Sequence, residues 1–305
     1  MLELKDRIGV WEWLMLLVLS VLWGGSFFFI EIAVTSLPVF TIVSLRVALA
    51  ALALWAFALA KGLSPPRSLH IWLSFLVMGL LNNAIPFSLI VWGQTEISSG
   101  LASILNGTTP LFTFFIAGLL LHDEPITLKK ASGVAVGFFG VVVIVGPGLL
   151  DEIGILNLAQ LAALGGALSY AFAGVYGRRF SLMGIDPVII AAGQVTMSSM
   201  VLIPISLMVD APVEYSIVGF STWAAIGGLA VLSTAIAYVL YFRILASVGA
   251  TNLLLVTFLI PVTAIFLGIT VLGETLQISE IVGMGFIAIG LLTIDGRLFT
   301  RNESN

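Results

Sequence analysis

The segment 109–140 reads TPLFTFFIAGLLLHDEPITLKKASGVAVGFFG, and the segment 260–290 reads IPVTAIFLGITVLGETLQISEIVGMGFIAIG. Pro110 recurs as Pro261, Glu124 as Glu274, and Gly133 with Gly140 as Gly283 with Gly290. One residue of length adjustment, between proline and glutamate, keeps the two in register. The chain therefore reads as a duplication, with halves at 1–150 and 151–305. Composition identifies the solvent around those halves. Hydrophobic residues are 60% of the 305, charged residues 9%, and the mean hydropathy is +1.17. A soluble domain carries roughly a quarter of its residues charged, so most of this surface faces lipid.

Apolar runs of about twenty residues, each able to cross a hydrocarbon core of ~30 Å, recur ten times. They lie near 11–30, 38–60, 71–92, 100–121, 128–145, 156–177, 187–209, 219–242, 250–272 and 278–298. The first follows Lys5 and Arg7 but is too long for a secretory signal and lacks a small-residue cleavage site, so it reads as a retained helix. Lys and Arg accumulate in cytoplasmic loops. With the N-terminus inside, all of the 12 cations except Arg46 fall on the cytoplasmic side. The opposite loops hold Glu96, Asp151, Glu152, Asp210, Glu214, Glu274 and Glu280. The expected fold is an all-α integral membrane protein of ten transmembrane helices, with both termini cytoplasmic. Five spans per half is an odd number, so the two copies enter the membrane in opposite senses. Such inverted five-helix repeats favour alternating access around a central site.

Several function classes lack material here. A net charge of −4 without a concentrated basic face argues against nucleic acid. There is no cysteine, hence no disulfide, thiolate metal site or thiol nucleophile. The two histidines, His70 and His122, lie near the cytoplasmic face and far apart, leaving little for an enzyme or a metal site. No P-loop lysine motif provides for ATP, and no cofactor is expected. The acids sit at or beyond helix ends, whereas proton-coupled pumps carry them inside the membrane. The expected partners are a small-molecule substrate and lipid, and the expected transport is driven by the substrate's own gradient. A channel, the rival class, calls for rings of like polar groups around an axis.

Polar residues at mid-membrane depth are costly and tend to face a cavity or the bundle interior. Asn82, Asn83 and Pro86 interrupt GLLNNAIPFSLIVWG halfway along the third span. Pro86 lacks an N–H and frees the carbonyl of Asn82. Either this stretch borders a substrate cavity, or it is a helix–helix hydrogen bond beside an ordinary kink. Trp23, followed by Gly24, Gly25 and Ser26, and its counterpart Tyr170 read either as pocket walls or as rings filling gaps between closely packed helices. NGTTP, with Asn106, Thr109 and Pro110, is matched by Thr257 and Pro261; paired interruptions of this kind point to a transporter site. Ser233, Thr234, Tyr238 and Tyr241 add hydroxyls along the eighth span. Arg46 is the one full charge well inside a span. It can grip a substrate carboxylate, or act structurally by reaching the interface along its stem or pairing with Glu31; the structural role is the preferred expectation. Glu124 and Glu274 are expected to cap or link helices on opposite faces, with gating ion pairs as the sharper alternative. Gly133 and Gly137 have the spacing of closely packed helices, within one chain or between two.

LWGGSFFF in the first span, the arginine of VSLRVALAALAL in the second, and the doubled Pro–Glu–Gly–Gly endings resemble the EamA-type family of the drug/metabolite transporter superfamily. The resemblance covers essentially the whole chain, and within the family it looks most like the YddG-type amino-acid exporters of bacterial inner membranes. It implies a central cavity and export of amino acids, aromatic and other neutral ones first, or of related small metabolites. The second half departs from the first: no arginine matches Arg46, and Gln194 lies near the equivalent position.

Overall fold

The computed structural model describes residues 9–120, 128–146, 154–210, 212–253 and 256–295. Among these the regular structure is helical, and we label α1 (Val10–Val34), α2 (Val39–Ala60), α3 (Leu69–Gly93), α4 (Ser99–Leu120) and α5 (Leu128–Val145) in the first half. The second half has α6 (Ile155–Leu182), α7 (Pro187–Val209), α8 (220–253), α9 (Val256–Leu272) and α10 (Ile278–Asp295). Seven, α1–α4 and α6–α8, are long and apolar enough to cross a membrane; the other three are shorter and apolar. Helices suit this composition because a backbone in lipid must satisfy its own polar groups. Large apolar residues such as Leu52, Leu119, Leu207 and Phe266 point outward, while others such as Leu19, Ile42, Phe75 and Leu105 fill the interior together with alanines and serines.

Two pairs of equivalent helices from the two halves, α5 with α10 and α2 with α7, pack against each other in opposite directions. On α5 and α10, a Cβ added at Gly133 would lie 2.7 Å from the Gly290 carbonyl, and one at Gly140 would lie 2.5 Å from the Gly283 carbonyl. The small-residue spacing thus joins two helices of one chain. On α2 and α7, the Thr41 N–H and hydroxyl donate to Asp210 Oδ2 (2.6 and 2.9 Å), and Trp55 Nε1 donates to Thr196 Oγ1 (2.8 Å). The remaining contacts exchange in the same way: α1 packs on α8 and α9, and α6 packs on α3 and α4. Antiparallel pairing of equivalent elements places the axis relating them across the helices rather than along them.

The exchange is imperfect where α4 meets α9. The first half of α4 packs along α9, with Gly100 against Ile265 and Gly107 against Pro261. Among the described residues, the mirrored packing of the start of α9 on the second half of α4 has no comparable extent. The bundle is thus drawn together at the end that carries Gln94, Ser99, Asp210 and Glu274. Between α4 and α9 it is parted at the end that carries Lys61 and Arg178.

Candidate functional site

The third span is not regular where its asparagines lie. Leu80–Ala84 forms a π-helical turn inside α3. Pro86 falls in the first turn of the α-helix that follows, and the π turn contains Asn82, whose carbonyl the missing Pro86 N–H leaves free. A wide turn releases carbonyls, and neighbouring helices meet them. Ser198 Oγ on α7 donates to the Gly79 carbonyl (3.0 Å), and Ser169 Oγ on α6 donates to that of Leu81 (2.7 Å). The equivalent helix α8 has a longer π segment, Gly228–Ile236, in which Thr234 Oγ1 donates to the Leu229 carbonyl (2.7 Å). Interruptions of this type are frequent at functional sites.

Two groups of polar contacts cross the bundle at these widened turns. From α3, Asn82 Nδ2 donates to Gln194 Oε1 on α7 (3.1 Å) and to Tyr238 OH on α8 (3.0 Å). Tyr238 OH in turn donates to Asn83 Oδ1 (2.9 Å). Asn83 is fully buried, and its Nδ2 has no partner among the described residues. From α2, Arg46 Nε donates to Thr234 Oγ1 (3.0 Å), and its guanidinium lies 3.7 Å above the Phe87 ring. Tyr170 meets Phe87 edge-on at 6.5 Å, and Tyr170 and Tyr238 are the phenols facing Arg46. Arg46 is only 5% exposed, so it does not extend to the interface. Nor does it pair with Glu31, whose Oε2 accepts instead from Gln94 Nε2 (3.0 Å). The widened turn of α8 brings Thr234 inward and holds the arginine in the core. That is the reason its side chain does not follow the outward path open to it in sequence.

Trp23 joins this centre through an aromatic wall, 5.6 Å from Tyr241, which stands edge-on to Phe242 at 5.1 Å. Trp23, Asn82, Tyr170, Tyr238, Tyr241 and Phe242 are all half-buried, so part of each borders open space. Gly24 beside Trp23 has a packing role: an added Cβ would meet Thr263 Cβ at 2.7 Å.

Other candidates gather elsewhere. Asn106 ends the first part of α4 with a buried Oδ1 that has no partner among the described residues; Thr109 Oγ1 donates to the Asn106 backbone carbonyl (2.7 Å), and Pro110 opens the second part. Thr257 and Pro261 of α9 line a small cavity of about 40 Å³ with Gly107. A larger groove of about 560 Å³, between α2 and α7, lies beside the exposed Leu52 and Met200 and faces lipid. Glu274 caps α4: it accepts from the N–H groups of Ser99 (2.8 Å) and Gly100 (3.1 Å) and from Ser99 Oγ (3.0 Å). Glu124 lies outside the described residues. Sequence reasoning missed Phe87, although it stands one turn beyond Asn83 on the same helix, and the Gln94–Glu31 bond near the closed end.

An all-helical bundle of membrane-spanning length, duplicated and polar at its centre, defines a multi-pass membrane protein of the transporter class. The model of the EamA-like transporter family matches residues 10–146 and again 157–294, and the chain belongs to that family. It is 30% identical over 292 residues to an uncharacterized inner membrane transporter, YedA, of Escherichia coli K12, covering 93% of this chain and 91% of that one. It is 26% identical to the uncharacterized transporter YyaM of Bacillus subtilis, over 73% of each chain. A WAT1-related chloroplastic protein of Arabidopsis thaliana is 25% identical, over 93% of this chain and 69% of that one. A solved crystal structure shares the fold, with a TM-score of 0.68 at 18% identity over 96% of this chain and 98% of that one.

Proposed function

We propose that the chain is an alternating-access carrier in which the halves 1–150 and 151–305 rearrange about the site between Arg46, Asn82, Gln194 and Tyr238. It exports amino acids, aromatic and other neutral ones first, and related small metabolites across the inner membrane. The driving force is the substrate's own gradient. The observation that carries this reading is the one-sided closure of α4 on α9 within a largely exchanging set of contacts. With ten spans and both termini cytoplasmic, the basic end lies in the cytoplasm and the parted end faces inward. A bundle sealed at one face with polar groups at mid-depth suits a carrier better than a continuous pore. Amino acids as cargo rest on the resemblance to the YddG-type exporters, and the inner membrane on the relative of that description.

A proton-coupled exporter is the second reading. It is favoured by Glu31, at the closed end of the bundle, whose acidic neighbour is Glu274. Purified protein in liposomes loaded with a panel of labelled amino acids separates the two. Saturable flux that ignores an imposed pH gradient and falls in Asn82→Ala is the expected result. Flux that follows the pH gradient without any amino-acid gradient gives the chain to the second reading.

A further inference from the structure

Arg46 poses a charge problem that its surroundings leave open. Its Nε is taken by Thr234, but its two terminal nitrogens make no hydrogen bond to the described residues and are not sealed from open space. No carboxylate faces it among the described residues; the ionisable groups nearby are Tyr170 and Tyr238. Glu31, the acid that sequence offered, is bonded to Gln94. An uncompensated charge in the core of a membrane protein is expensive. Here it is fixed, with Phe87 beneath its face and Thr234 at its edge. A second unused donor among the described residues, the fully buried Asn83 Nδ2, lies on α3 one turn before Phe87. Donors in excess, one of them a planar fork, fit a ligand with two acceptor oxygens and a negative charge.

We propose that the central site requires a carboxylate, received by the free edge of Arg46, and does not require an amine. This rests on the reading of the site as the substrate site and narrows what enters it. The substrate class is small monocarboxylates with an apolar or aromatic body, of which amino acids are one kind. The body lies against the Trp23, Tyr241 and Phe242 wall. An ammonium finds only aromatic faces and neutral oxygens here, which tolerate it without compensating its charge.

The test uses the full chain, in detergent for thermal stabilisation and in liposomes for flux. The probes are phenylalanine, phenylpropionate, phenylalanine amide and phenethylamine, with alanine, propionate, alaninamide and ethylamine as the set for a narrower site. The expected result is that the two carboxylates of a set stabilise the protein and compete for flux. The amide and the amine bind between about tenfold and a hundredfold more weakly, the loss of one charge-assisted hydrogen-bonded pair. Arg46→Gln abolishes that preference, and Arg46→Lys keeps part of it. The probes are compared on the unaltered protein, so a variant that fails to fold does not remove the test. An amide or amine that binds as tightly as its carboxylate overturns the inference and leaves the carrier reading intact. Protection by chloride or phosphate alone, with nothing added by any carboxylate, overturns it as well. Silence of both sets, together with no flux for any amino acid, overturns the inference and the amino-acid reading together.

Discussion

Arg46 on α2 reaches Thr234 on α8, and Gln194 on α7 is reached by Asn82 on α3. Under the exchange of halves these are the same contact. Both join the second helix of one half to the third of the other, and both end on a π-helical segment. They differ in charge and in completeness. Gln194 is paired, and Asn82 spends its two amide hydrogens on Gln194 and Tyr238. Arg46 is bonded at one nitrogen and open at two. The duplicated frame has thus kept a geometry twice while making one copy a finished strut and the other an unfinished one. Asymmetry of that kind orients a ligand within a scaffold that is nearly indifferent to which half is which.

The comparison breaks most completely if the frame fails. Gly290→Leu places a side chain where a Cβ alone lies 2.5 Å from the Gly133 carbonyl, and backbone cannot yield as a side-chain tip does. The expected loss is about 3 kcal/mol, read as a large fall in melting temperature in detergent. The next effect has the opposite sign. Arg46→Met keeps volume and removes the uncompensated charge, so the substrate-free protein is expected to gain roughly 2 kcal/mol. Its melting temperature rises while flux of carboxylates is lost. At the equivalent site Gln194→Met is expected to cost about 1 kcal/mol, because it deprives Asn82 of an acceptor. Equal signs at Arg46 and Gln194 erase the distinction drawn here. The smallest effect is at the closed end. Glu274→Gln keeps the shape of the α4 cap but removes its charge from a helix N-terminus, worth about 0.5 kcal/mol. In a chain without native cysteine, Ser103→Cys reports it as thiol labelling from the acidic side about twofold faster.

The duplication was legible because proline, glutamate and glycine each punctuate a helix for a distinct reason, and their order repeats. Asn82, Asn83 and Tyr238 were legible as a class, since polar groups at mid-depth need partners. Which partner each takes depends on how helices face one another, and period alone does not fix that. Pro86 marks the place of the disturbance in α3, at Asn82, but not its form, a widened π turn. The widening of α8 has no proline at all: GLAVLSTAI offers only small and apolar residues, and that turn decides where Arg46 goes. Glu274 read as a helix cap or link, while the helix it caps became apparent only when the start of α4 was seen beneath it.

The contact of α5 with α10 has a further meaning for a protein dissolved in lipid. Hydrocarbon outside is no worse a neighbour for leucine than hydrocarbon inside, so oiliness gives two helices no reason to stay together. What remains is closeness, and closeness depends on nothing being in the way. At Gly133, Gly140, Gly283 and Gly290 the backbones touch because four residues carry no side chain. One of the firmest joints between the halves is made of missing atoms, so a single added methyl group there is a heavier alteration than most exchanges of whole side chains on the lipid face.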